Sequence, residues 1–157
     1  ELSARSIGVL RFALYAGPDY LEKHGHPAEP TDLKRHRRIA YGPSGDGPWR
    51  LYRGDATATV ETSPIAISDS SHMALTLARE GLGVVLLPRM LADPHVAQGR
   101  LVPILGGWSR IPVPVQAVFA SSRYMAPKVR AFIDLAVAEF RGQRDEDGDT
   151  SAPPSSV

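Results

Sequence analysis

The stretch "SDSSHMALTLAREGLGVVLLPRML", residues 68–91, constrains the fold more than any other part of the chain. A polar cluster comes first, then a helical pattern, then Gly81-Leu82-Gly83, then an apolar run stopped by Pro88. The spacing predicts a helix over 69–80 and a buried strand over 83–87. Gly81 ends the helix in the left-handed conformation, and Gly83 lets the backbone turn tightly into the strand. This order excludes a dinucleotide-binding reading of the glycine pair. That fingerprint runs strand, glycines, helix, so that the helix N-terminus meets the pyrophosphate, and it needs a third glycine that is missing here.

The rest of the chain repeats the alternation. "VLRFALYA" (9–16) reads as a buried strand ended by Gly17-Pro18, and "PDYLEKHG" as a short helix with Pro18 early and Gly25 as its stop. "PAEPTDLKRHRR" reads as a loop and a second short helix with Thr31 or Asp32 near its cap. The basic run Lys34–Arg38 reads as a solvated helix end, where cations suit the dipole. "RIAYG" and "WRLYR" are short strands around the turn-rich loop "GPSGDGP"; "DATATVETSPIAIS" holds one or two strands. "RMLADPHVAQG" reads as a broken helix, and "RLVPIL" and "VPVQAVFA" as strands. In "APKVRAFIDLAVAEF", Val129, Phe132, Ile133, Ala136, Val137 and Phe140 form one apolar helical stripe. Beyond Arg141 the composition turns polar, acidic and proline-rich, the signature of a disordered tail over 142–157. The class is α/β with a largely parallel or mixed sheet.

The polar end of the 69–80 helix carries the functional signal. Ser68, Asp69, Ser70 and Ser71 are more than a cap requires. A helix N-terminus offers free N–H donors to a ligand's acceptor group. "PIAIS" running into "DSS" is a strand's carboxyl end meeting a helix start, the place where open α/β sheets bind ligands.

Composition narrows the function classes. Lysines and arginines number 18 against 17 acidic residues, so the chain has no electrostatic footprint for nucleic acid. It has no cysteine, hence no disulfide, thiolate metal site or cysteine nucleophile, and no cofactor loop is recognisable. No apolar run approaches a membrane span and no signal peptide opens the chain, so a cytoplasmic location is expected. It begins at Glu1 and not Met, so the expectation is either that something was removed or that this is a piece of a longer protein.

Taken together, "RFALYAGPDYLEKHG", "PTDLKRHRRIAY", "WRLY", "ISDSSHMALTLAREGLGVVLLPRMLADPHVAQGRLVPIL" and "APKVRAFIDLAVAEF" resemble the effector-binding domain of LysR-type transcriptional regulators, from about Ser3 to Phe140. The resemblance implies an α/β fold like that of type 2 periplasmic binding proteins: two lobes joined by crossing strands, with a small-molecule cleft between them. On that mapping residues 1–15 hold a remnant of the first lobe and the first crossing strand, near Phe12–Tyr15. Residues 16–112 form the second lobe, and 113–141 the second crossing strand, near Pro114–Val118, and the last helix of the first lobe. The implied effector-binding positions are Ile65, Ile67, Ser68, Asp69 and Ser70, with Gly17 and Trp49. The family's winged helix-turn-helix, its linker helix and the first units of the first lobe are not in this stretch, so the first lobe is expected to be incomplete. The stripe on helix 126–140 is then expected to be exposed, giving poor autonomous stability or homo-oligomerisation, as a dimer or tetramer. DNA and RNA polymerase are expected as partners only through a full-length regulator, with no membrane partner, cofactor or metal.

Other constellations read as structural. His24 and His26 sit at a helix end in a Pro/Gly loop with no carboxylate at a metal-ligand spacing. His72 follows Ser70 and Ser71, but neighbouring helix positions do not face each other and no G-x-S-x-G elbow is present. Trp49 reads as a packing aromatic or a mobile cleft wall, and Arg123 and Tyr124 as hinge or dimer contacts. The rival classes are a solute-binding protein of the periplasmic type, sharing the fold, and an enzyme using Asp69 or His72 as an acid/base group.

Overall fold

The computed structural model describes residues 2–42, 45–120 and 125–146, with side chains described as far as Gly142. The chain forms two compact units, Leu10–Pro112 and Glu1–Val9 with Val113–Val157.

The larger unit is built on a five-stranded mixed sheet. Its strands are β2 (Phe12–Ala16), β3 (Arg38–Tyr41), β6 (Ala66–Ser68), β7 (Val84–Pro88) and β8 (Val102–Ile104), in the order β6-β3-β7-β2-β8. β3 runs parallel to both β6 and β7, with Ile39 opposite Ala66 and Val85. β2 runs antiparallel to β7 and β8, with Leu14 opposite Leu86 and Ile104. Side chains alternate across a strand, so each strand serves two faces. One face of the sheet packs Tyr15, Ile39, Val85 and Leu87 into a core with Ala74, Leu75 and Ala78 of α2 (Ser71–Arg79) and Ala92 of α3 (Arg89–Ala97). Each of the large side chains in this core contributes roughly 1.5–3 kcal/mol by leaving water. The antiparallel hairpin of β4 (Trp49–Arg53) and β5 (Ala56–Val60) buries Leu51 and Val60.

The glycine pair behaves in two different ways. Gly81 has φ +79°; its N–H is bonded to Ala78 O at 3.1 Å, and Leu82 N–H to Leu77 O at 3.0 Å. Those are the two bonds of a Schellman closure, which satisfies the last carbonyls of α2. Gly83 is needed for space rather than for a turn. A Cβ there would lie 2.4 Å from the Arg37 carbonyl oxygen, where the backbone pairs Val84 N–H with Arg37 O at 2.8 Å.

Several expectations are corrected. The run read as one strand over 9–16 is two. β1 (Leu2–Leu10) pairs with β9 (Val113–Ala120), and after a break at Arg11 the chain joins the larger sheet as β2. Between α1 (Pro18–His24) and β3, the expected second helix is a 3-10 helix, Pro30–Arg35, with Glu29 at its cap and Asp32, expected near the cap, completing a capping box with it. Asp32 reaches back to accept from the Ala28 and Glu29 N–H groups, both at 3.0 Å. The α3 helix is continuous despite Pro94, which lies within it. The basic run is not solvated throughout: Arg38 is only 2% exposed, because it enters β3, whose residues 38–40 are buried on both faces.

The smaller unit holds the two-stranded sheet β1-β9 and α4 (Pro127–Glu146), which continues past Arg141 into the stretch read as tail. The rest of that tail, and Arg123 and Tyr124, lie outside the described residues. The α4 stripe is more covered than expected. Ile133 is 2% exposed, Val129, Ala136, Val137 and Phe140 are half-buried, and Phe140 packs so closely on Gly8 that a Cβ there would fall 2.7 Å away. Phe132 stays exposed, as does Leu135 outside the stripe. Asp134 accepts from Arg5 at 2.8 Å, an exposed ion pair of small energetic weight. Among the described residues no helix is long and apolar enough to cross a membrane.

Candidate functional site

Because β3, β6 and β7 are parallel, Tyr41, Ser68 and Pro88 end at one edge of the sheet, and α2 begins there. The antiparallel β2 begins at the same edge, with Phe12 opposite Pro88. Ser109 Oγ donates to the Phe12 carbonyl at 2.6 Å, and Ser109 exchanges backbone hydrogen bonds with Tyr52. Three separate segments therefore converge beside the carboxyl ends of the strands. They enclose a concavity of about 560 Å³ lined by Tyr41, Gly42, Gly45, Trp49, Arg50, Tyr52, Asp69, Arg110 and Ile111, with Ile39 and Leu86 at its floor. This volume falls within the ~300–1,000 Å³ usual for small-molecule sites.

The wall carrying Trp49 is fixed by Arg38. Its guanidinium donates to the carbonyls of Gly47 at 2.7 Å and Thr62 at 2.6 Å, and at 3.4 Å to that of Asp46. It also stacks on the Trp49 ring, 5.3 Å from the centroid. One buried side chain thus ties both ends of the β4–β5 hairpin to β3. Burial pushes the Arg38 pKa down, and the Asp46 charge opposes that shift. Its Nε has no hydrogen-bond partner among the described residues.

Two of the expected site residues, Trp49 and Asp69, line the concavity. Ser70 is the cap of α2, accepting from the Met73 N–H at 3.3 Å, and Ser68 Oγ accepts from the Ser70 N–H at 3.0 Å. Both hydroxyls are used in shaping the turn, while Asp69 is exposed and lines the concavity. Ile67 is exposed beside the loop, its Cγ2 3.3 Å from where a Cβ on Gly45 would stand. Ile65 is also exposed, and its N–H bonds the Arg38 carbonyl at 2.9 Å. Gly17 is not brought to this edge. β2 runs antiparallel to β7, so its end, Ala16, stands opposite Val84, where β7 begins. There Gly17 is buried against the far end of α2, and a Cβ would fall 2.6 Å from the Ala78 carbonyl oxygen.

Tyr41, Arg50, Tyr52 and Arg110 were not anticipated. The alternation of "WRLYR" around buried Leu51 was a usable signal, since it puts Arg50 and Tyr52 on the opposite face from that core residue. No local signal places Arg110. Its position follows from the long-range pairing of 109 with 52. The histidines stand apart from the concavity. His24 stacks on Tyr20 with centroids 4.5 Å apart, and His36 Nδ1 lies 3.0 Å from the Tyr20 hydroxyl. Among the described residues no group of three or more His, Asp or Glu is arranged to hold a metal.

A mixed α/β unit with an aromatic-lined hollow at the carboxyl ends of parallel strands has the periplasmic-binding-like fold. The chain belongs to the LysR substrate binding domain family, whose model matches residues 1–141. It is 31% identical to an HTH-type transcriptional regulator of Xanthomonas campestris pv. campestris over 150 residues, 92% of this chain and 44% of the relative. It is 29% identical to the HTH-type transcriptional regulator CrgA of Neisseria meningitidis serogroup B, over 88% of this chain and 47% of CrgA. The solved regulatory domain of CrgA superposes with a TM-score of 0.75 at 29% identity, covering 88% of this chain and 69% of that one. The regulatory domain of AphB from Vibrio vulnificus gives 0.72 at 29% identity, covering 88% and 68%. The chain spans about half the length of the curated relatives it matches.

Proposed function

We propose that this chain is the effector-sensing part of a LysR-type, DNA-binding transcriptional regulator, and that a small organic effector binds in the concavity beside Trp49 and Asp69. The observation that carries this reading is the convergence of Tyr41, Trp49, Asp69 and Arg110 on a hollow of ligand size at the carboxyl edge of the sheet. Ile67, Ser68 and Ser70 contribute by shaping its rim, and Ile65 lies next to them in the chain. The larger unit, residues 10–112, is read as the family's second lobe, from residue 10 and not 16 because β2 is a strand of its sheet, with 1–9 and 113–141 read as parts of the first. The effector acts by binding one arrangement of the protein more tightly than another, which shifts their populations. In the whole regulator that shift is read out at DNA and RNA polymerase, in the cytoplasm and in a homo-oligomer. In this reading the domain binds its effector and performs no chemistry on it. The regulators named above support this reading over a solute-binding protein that delivers cargo.

The test is a thermal-unfolding screen of small organic compounds against the chain. A ligand present at 100 times its Kd stabilises by about 2.7 kcal/mol. At least one compound class is expected to raise Tm, with the shift lost in Trp49→Ala and Asp69→Ala. Shifts that survive both substitutions would place the site elsewhere.

A further inference from the structure

We infer that the ligand of this site is an anion carried on a flat apolar body, with Arg110 and Arg50 receiving its charge. This deepens the sensor reading and rests on the concavity being the effector site. The chain as a whole is nearly neutral, with 18 basic and 17 acidic residues. The concavity departs from that balance: its lining includes two guanidinium groups, Arg50 and Arg110, against one carboxylate, Asp69.

Among the described residues neither arginine forms an ion pair; the carboxylates that do so belong to Asp32, Asp93 and Asp134. Arg110 is nonetheless held in place. Its guanidinium lies over the ring of buried Phe12, 4.8 Å from the centroid. Stacking uses the face of a guanidinium and leaves its edge N–H donors free, and those donors match the two oxygens of a carboxylate. A fixed, unpaired fork at the mouth of a hollow is preorganised for an anion.

The flat body follows from the other walls. Tyr41, Trp49 and Tyr52 supply aromatic surface, which favours offset or edge-on packing with a planar partner. Trp49 is held by Arg38 from behind, so it presents a set face. Asp69 sets a limit on charge. It repels a ligand with a second negative group on its side, so the favoured ligand is a monoanion, with any hydroxyl or N–H donor turned towards Asp69.

The chain is titrated with phenylacetate, phenylacetamide and phenethylamine, three probes that share a ring and differ in charge, with binding followed by amide NMR shifts. Phenylacetate is expected to bind about tenfold or more tightly than the amide, the scale of one charge-assisted contact. Its shifts should centre on Trp49, Asp69 and Arg110. Arg110→Gln and Arg50→Gln, both at exposed positions, should each lower the ratio of acid to amide affinity, whatever each does to the amide alone. Equal binding of acid and amide, tighter binding of the amine, or no binding of phenylacetate at about 10 mM, where a ring plus one charge still registers, would overturn the inference. The sensor reading falls separately, if no compound of any charge in the thermal screen stabilises the chain.

Discussion

The two units of this chain use similar raw material and reach different states of completion. Residues 10–112 bury nearly all of the described hydrophobic core, from Phe12 to Trp108, and the smaller unit adds only Ile133 to it. The smaller unit instead leaves Leu2, Val118, Phe132 and Leu135 between 63% and 74% exposed. The cause lies in the sheets. A strand such as β7, hydrogen-bonded on both sides, is buried along its whole length. In the two-stranded sheet, β9 alternates half-buried and exposed residues, because only one of its faces is covered. A two-stranded sheet is marginal alone, and three or more strands with a covered face are needed for independent stability. The difference teaches where the chain concentrates its packing, and the hollow proposed as the effector site lies in the better-packed unit.

The comparison can be broken most sharply in the core. Leu87→Ala, at a fully buried position facing α2 and α3, should cost about 2–5 kcal/mol in urea unfolding. A loss near that of a surface substitution would mean the larger unit is not the stable one. Arg38→Met should cost about 2–4 kcal/mol, because three carbonyls lose their charged donor inside the protein. It should also shift Trp49 emission to longer wavelength as the ring loosens. Ser70→Ala, which removes the cap of α2, should cost about 1 kcal/mol.

The histidine clamp gives a pH dependence of smaller size. Burial, reinforced by the His24 charge, pushes the His36 pKa below its ordinary value, while Asp32 opposes that shift. The folded state therefore favours neutral His36, hydrogen-bonded to Tyr20. The sign follows from linkage. That stability is fully present above the ordinary histidine pKa, and it is lost as pH falls through the depressed folded value. Tm measured from pH 8 down to about pH 5, a range spanning the ordinary histidine pKa of about 6.5, should decline less steeply in His36→Asn. Last, Phe132→Ser and Leu135→Ser should change stability by no more than about 0.5 kcal/mol while reducing self-association in sedimentation. A large loss would show that these side chains are covered.

Legibility followed the range of the interactions. The α2–Gly81–β7 unit could be read because its caps, glycine closure and apolar run are all local in sequence. Gly17 was misplaced because its position depends on β2 running antiparallel to β7, a pairing of residues 12–16 with 84–88 that no local pattern encodes. Arg38 read as solvated because a run of cations usually is, and only its burial in β3 reveals it as the brace behind Trp49. Arg110 reaches the concavity by the same kind of long-range pairing, through Ser109 and Tyr52. Asp69 was legible as a polar residue where a strand's carboxyl end meets a helix start, whereas Trp49 entered as a cleft position only through the family resemblance.

The most direct test of the account is amide hydrogen exchange of the chain with and without a compound that raises its Tm. The account predicts that slow exchange is concentrated in β2, β3 and β7. It further predicts that the compound adds protection chiefly at residues 45–52, 69–73 and 110–111, around the hollow. Added protection confined to β1, β9 and α4, with none around Trp49, Asp69 and Arg110, would contradict it.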